Sequence, residues 1–305
     1  MRSPFLRQAG KRFLLNVARL FWMLLALGLF SVQAGQEAGT PKFERPIIMD
    51  SNGPGSVLFA VDTWGTLHVL RVSDKSLEES RSIPLPSSFT PSDMSYSGVS
   101  GQDSVLIAGN ESGHGMVARF DLDGKALQTW NFKNICSGID VSADRKSAYV
   151  ATSDSKEIYR LDLQKTTSTF IARIPGAAKL GPLAFDETHQ RIYVADVAAG
   201  AIYQYTIATK SSKVLVTGLS APTALSHDPD ASRLYVADPG RRAIFTVETR
   251  ASKPVLTQFV SSPLKSPYGM ALISGDRLAV ADYAENCISV FSSKGVLLFR
   301  FPPNN

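Results

Sequence analysis

Two aspartates, Asp50 and Asp140, occupy the same place in a repeated strand whose other copies carry Ser97, Ala184, Ser226 and Ala271. Carboxylates brought together in a narrow space must stay hydrated, share a proton or hold a cation. The pair therefore marks a candidate ion or water site, with a divalent cation as the one conceivable cofactor and no other cofactor expected. The remaining reactive side chains offer less. His68, His114, His189 and His227 fall at different points of the repeat, so three of them do not converge on a tetrahedral zinc ion. The chain lacks a Gly-x-Ser-x-Gly elbow, a Cys-x-x-Cys pair and a glycine-rich phosphate loop.

The elements that position these residues follow from self-similarity. The phrases LFAVD (58–62), VLIAG (105–109), AYVAT (148–152), IYVAD (192–196), LYVAD (234–238) and LAVAD (278–282) are spaced by 47, 43, 44, 42 and 44 residues. Each unit holds four short apolar runs separated by turn signals such as SADRK, DETHQ and DPGRR. After residue 40 no long window shows a helical period. Four strands in each unit of about 44 residues predict an all-β fold, a six-bladed β-propeller of four-stranded antiparallel blades over 44–305.

A propeller narrows toward its axis, so its innermost strands need small side chains. Two columns fit: Ile48, Ser95, Gly138, Pro182, Ala224 and Gly269, then Asp50, Ser97, Asp140, Ala184, Ser226 and Ala271. Bulky Tyr149, Tyr193 and Tyr235 belong farther out. The Asp that closes the repeated phrase reads as a turn residue accepting backbone N–H bonds. Cys136 and Cys287 fall in blades three and six, opposite in the ring, so they are expected to be unpaired and buried.

In such a ring the loops from second to third strand and from fourth strand to the next blade share one face. That face collects Trp64, Asp93, His114, Ser137, Thr223, Arg241, Arg242, Tyr268 and Tyr283. Aromatic residues and Arg are the types that anchor interfaces. Asn110, in Asn-Glu-Ser, is a glycosylation acceptor if the source is eukaryotic.

Charge is read only after the N-terminus. Residues 1–34 hold Arg2, Arg7, Lys11, Arg12 and Arg19, then an apolar run from Leu20 to Phe30, then Val32-Gln33-Ala34 before Gly35. This is the layout of a secretory signal peptide cleaved between Ala34 and Gly35. Its apolar run of 11 residues is too short for a stable membrane span. A retained anchor is the alternative. Residues 35–43 form an N-terminal segment. Without the signal, 27 of the 32 basic residues remain against 27 acidic ones, which gives no pooled basic surface for nucleic acid. The expected product is a secreted or periplasmic monomer.

The last unit, SPYGMALISGDRLAVADYAENCISVFSSKGVLLFRF, resembles the NHL repeat in its Pro-x-Gly opening, Leu-x-Val-Ala-Asp strand, preceding Asn and Ser-x-Gly turn. The resemblance extends over six copies from residue 44 to 305. It implies a binding module for a protein, peptide or glycan. The chain also resembles, more broadly, the gluconolactonase/regucalcin-like propellers, metal-dependent hydrolases. That resemblance implies a metal held by a Glu ahead of blade one, here Glu44, and by residues preceding later inner strands. Those later positions here are Ser137, Gly181, Thr223 and Tyr268, none of them a carboxylate or amide. The lactonase-like alternative therefore rests on a degenerate metal site, and a non-enzymatic role is the leading expectation.

Overall fold

The recurring phrase is the second strand of every blade. The computed structural model describes residues 43–98 and 102–302, and the expected signal peptide, its Ala34–Gly35 cleavage and residues 35–42 lie outside the described residues. Blade one contains β1 (Pro46–Ser51), β2 (Val57–Asp62), β3 (Thr66–Val72) and β4 (Leu77–Pro84). Blade two contains β5 (Phe89–Tyr96), β6 (Ser104–Glu111), β7 (His114–Asp121) and β8 (Ala126–Phe132). Blade three contains β9 (Cys136–Val141), β10 (Ser147–Thr152), β11 (Glu157–Asp162) and β12 (Thr167–Arg173). Blade four contains β13 (Leu180–Asp186), β14 (Arg191–Asp196), β15 (Ala201–Thr206) and β16 (Ser211–Thr217). Blade five contains β17 (Ala224–Asp228), β18 (Arg233–Asp238), β19 (Ala243–Glu248) and β20 (Thr257–Val260). Blade six contains β21 (Pro267–Ile273), β22 (Arg277–Asp282), β23 (Cys287–Phe291) and β24 (Leu297–Phe301). Each is a separate four-stranded antiparallel sheet in chain order.

The innermost strands pack in sequence, β1 on β5, β5 on β9, β9 on β13, β13 on β17, β17 on β21, and β21 back on β1. Each of the six seams between blades has its own apolar cluster. Alternation along β2 shows why. Phe59 and Val61 enter the seam with blade two, while Leu58 and Ala60 enter the seam with blade six. A strand buried on both faces reads as a continuous apolar run. Burying one such Leu or Phe fully contributes about 1.5–3 kcal/mol.

The taper is visible at two glycines. A Cβ on Gly138 would stand 2.4 Å from the carbonyl oxygen of Gly181, and one on Gly269 would stand 2.9 Å from that of Ile47. Inner strands of neighbouring blades therefore touch backbone to backbone at these points. Farther out, Tyr149, Tyr193 and Tyr235 are buried, as expected. Cys136 and Cys287 are free and buried.

Blade two departs from the expected inner columns. Asp50 pairs across from Phe59, Ser95 from Leu106 and Asp140 from Tyr149, so Ser95 shares the level of the two aspartates. Ser97 lies beyond β5, and Asp93 takes the place assigned to Ser95. A shift of two residues keeps every side chain on its original face, so alternation alone is blind to it. The connection from first to second strand is two residues longer in blade two: 11 positions separate Ser95 from its partner Leu106, against 9 from Asp50 to Phe59 and from Asp140 to Tyr149.

Candidate functional site

The six-bladed ring offers a channel at its axis and the loop face above it. The channel holds a cavity of about 180 Å³, lined by Asp50, Asp93, Ser95 and Asp140 on one side and by Thr223 and Ser226 across it. Asp93, expected on the loop face, is thus a third channel carboxylate.

All three acids bind the next blade. Asp50 Oδ2 accepts the Tyr96 N–H at 2.6 Å, Asp93 Oδ2 the Ile139 N–H at 2.9 Å, and Asp140 Oδ2 the Phe185 N–H at 2.8 Å. Ser95 Oγ donates to Asp140 Oδ1 at 3.3 Å. Burial raises the pKa of Asp50 against the pull of these N–H groups. Burial, with the charges of Asp140 and Asp50 added, lifts Asp93 well above the usual carboxylate range. Burial and then the charge of Asp50 push Asp140 up to about 7. The channel acids therefore serve as clamps across the first three seams. Among the described residues no group of three or more His, Cys, Asp or Glu side chains is disposed to hold a metal ion.

The Asp that ends the second strand in blades one, four, five and six works as a turn acceptor. Asp282 takes the N–H groups of Lys265 and Ser266 at 2.7 and 2.9 Å, and Asp238 takes those of Ser220 and Ala221 at 2.7 and 3.0 Å. Each carboxylate ties its hairpin to the loop entering the same blade. In blade one Asp62 Oδ1 accepts from the backbone of Trp64 and Thr66 at 2.9 and 2.8 Å, but Oδ2 meets His68 Nε2 at 3.2 Å. His68 is fully buried, with Nδ1 on Glu79 at 2.5 Å and Phe43 packed edge-on at 4.9 Å. Burial opposes charge on this imidazole, but Asp62 and Glu79 outweigh it and the pKa is raised.

This bracing presents Trp64 at the tip of the β2–β3 hairpin, where Gly65 takes a φ of +76°. The indole is 68% exposed, yet its Nε1–H donates to Glu44 Oε2 at 3.0 Å. Glu44, expected as a metal ligand, instead holds the indole. Arg45 continues the strip. Its backbone N–H donates to Asn286 Oδ1, its guanidinium donates to the Tyr283 hydroxyl at 3.5 Å, and its charge sits 5.3 Å from the centre of that ring. Tyr283 stands 5.3 Å from Tyr268, and Thr223 Oγ1 donates to the Tyr268 carbonyl at 2.8 Å. Glu44, Trp64, Tyr268 and Tyr283 thus gather where blade six meets blade one, and Thr223 ties Tyr268 to blade five.

The other expected face residues stand apart. His114 is exposed on a blade-two hairpin. Ser137 donates to the Ala151 carbonyl inside blade three at 3.3 Å. Arg241 donates to the Gly218 carbonyl at 2.9 Å and covers Phe245 at 4.4 Å, with exposed Arg242 beside it. Sequence reasoning missed Arg45, Asn286 and His68. Their partners are 241 residues away for Arg45 and on separate strands for His68, and no local pattern marks such contacts. A larger cleft of about 500 Å³ opens between blades one and two, on the side of the first-to-second-strand turns. Its Arg119 is spent on Ser104 Oγ, Gln128 Oε1 and the Ser97 carbonyl.

No family model matches the chain, and no curated protein matches it. Solved structures are similar. A structure of the nidogen/laminin complex matches at 14% identity and TM-score 0.65, covering 81% of this chain and 93% of that one. A structural-genomics protein of unknown function from Bacteroides thetaiotaomicron matches at 13% identity and TM-score 0.62, with 83% and 70% covered. Hydrazine synthase from Kuenenia stuttgartiensis matches at 14% identity and TM-score 0.62, with 86% and 80% covered. At such identities the likeness defines the chain as a β-propeller by fold and goes no further.

Proposed function

We propose that this chain is an exported, monomeric, NHL-like propeller that acts as a binding module. It takes a protein, peptide or glycan on the loop face, at the join of blades six and one. The observation that carries this reading is Trp64, a large apolar side chain 68% exposed and oriented by the bond its Nε1–H donates to Glu44 at 3.0 Å. Exposed aromatics fixed in advance lose little freedom on binding and are the residues that anchor interfaces. One similar structure is of a complex between two proteins, which supports a recognition role. Balanced charge beyond residue 34 speaks against nucleic acid. The basic-then-apolar run of residues 1–34 supports export to the periplasm or outside the cell.

The test is site-specific photo-crosslinking in a cell-envelope fraction, with the reactive residue placed at exposed Thr63, which keeps the neighbouring indole at 64, or at Phe170 on the outer strand β12. Adducts beside Trp64 and none at 170 are expected. Equal labelling at both, or none beside Trp64, would refute the loop face as the site.

A further inference from the structure

The strip at the seam of blades six and one has a chemistry that selects among those three partner classes. Trp64 Nε1 is committed to Glu44, so the edge of the indole is spent and its face remains for a ligand. The ring is positioned in advance, because Asp62 holds the Trp64 backbone and buried His68 holds Asp62. The indole's carboxylate partner Glu44 is followed in the chain by Arg45, whose guanidinium lies 3.5 Å from the Tyr283 hydroxyl. Other exposed large apolar residues among those described, such as Leu127, Phe170, Val214 and Leu298, lie on fourth strands at the outer edge. No apolar surround therefore encloses Trp64.

That surround decides the partner. In a dry protein interface each polar neighbour left without a partner costs about 1–3 kcal/mol. A sugar ring has the opposite character. Its axial C–H groups lie flat on an indole by dispersion, while its hydroxyls both donate and accept, and so replace the water on Glu44, Arg45 and Tyr283. Glu44 and Arg45 are adjacent and opposite in charge, and Lys265 is paired with Glu285, so the strip has no net sign with which to favour a charged ligand.

We propose that the strip formed by Trp64, Glu44, Arg45, Tyr283 and Tyr268 binds an uncharged oligosaccharide, one pyranose ring lying on the Trp64 indole. This rests on the binding-module reading and narrows it. Of the three tryptophans, Trp22 lies in the expected leader and Trp130 is buried, so Trp130 adds a constant background and a change in emission on adding a surface ligand reports on exposed Trp64. Tryptophan emission of the mature chain is titrated with cello-, xylo-, malto- and chito-oligosaccharides, and in parallel with a mixed peptide library. A saturable shift is expected with at least one saccharide. Affinity for that saccharide, read by isothermal titration calorimetry so that the readout survives loss of the indole, should weaken by at least about tenfold in Trp64→Ala, the loss typical of a binding hot spot. Glu44→Ala, which frees the indole, should also weaken it, and added salt should leave it unchanged. Circular dichroism melting of both variants checks that they fold. Absence of a Trp64-dependent shift with every saccharide overturns the proposal. If peptides alone bind through Trp64, the saccharide assignment falls and the binding-module reading stands. If neither class binds and crosslinking beside Trp64 is blank, both fall.

Discussion

Asp140 shows how a residue chosen for one chemistry can serve another. Its carboxylate lines the channel, but both oxygens accept backbone N–H groups, from Val141 at 2.8 Å and from Phe185 at 2.8 Å. Its pKa of about 7 in the folded chain compares with about 3.9 in an unfolded one. Between these values the folded state holds more protons than the unfolded state, so stability falls as pH rises through the window. Asp50 and Asp93 titrate in the same group and add to the slope. Asp140→Asn stays neutral at every pH. The melting temperature of the parent protein should drop between about pH 4 and about pH 7, and that of the variant should drop less. Equal slopes would mean that Asp140 is not the group responsible. Asp50 and Asp140 were legible in the sequence because they interrupt a column of small residues. Asp93 was not, because a two-residue shift leaves its face unchanged.

At the scale of elements, the innermost strands are the tightest part of the molecule. The position of Gly138 on β9 allows β13 to approach within contact of its backbone. Gly138→Ala inserts a methyl group 2.4 Å from the Gly181 oxygen and 2.8 Å from the Leu183 nitrogen, so the two strands must part. Overpacking of this kind costs about 1–3 kcal/mol. The melting temperature should fall by about 2–4 °C for each kcal/mol. An unchanged melting temperature would show that the seam has slack there. Strand identity and order were legible from the repeated phrase, since a strand buried on both faces must be apolar throughout. The hairpin carrying Trp64 was legible as a turn. What was not legible is its brace: Asp62 Oδ2 meets buried His68 on the next strand, where the equivalent oxygens of Asp196, Asp238 and Asp282 hold the loop entering their own blade.

At the scale of the whole molecule, the described residues close the ring by packing of blade six on blade one, each with its own four strands. β1 begins blade one, β24 ends blade six, and each sheet is continuous in chain order. Phe43 and Phe301 meet edge-on at 5.2 Å in the closing seam, and Arg277 donates to the Ser73 carbonyl at 2.7 Å. Ending the chain after Ser293 removes β24 and this aromatic contact. The melting temperature should then fall, and the Cys287 thiol on β23 should react with a thiol reagent in the native protein while Cys136, in blade three, stays protected. Equal protection of both thiols would show that β24 is dispensable for closure. Among the described residues no helix is long and apolar enough to cross a membrane. The sequence by itself determined the number of blades, the order of strands and the burial of each strand face, because these follow from local alternation and a fixed repeat. Only the tertiary structure decided which side chains share a site. Glu44 and Arg45 meet Asn286 and Tyr283 because the ring brings its two ends side by side, and Glu44 became the support of an indole because the pairing of Pro46 with Asp62 sets it within hydrogen-bond reach of Trp64.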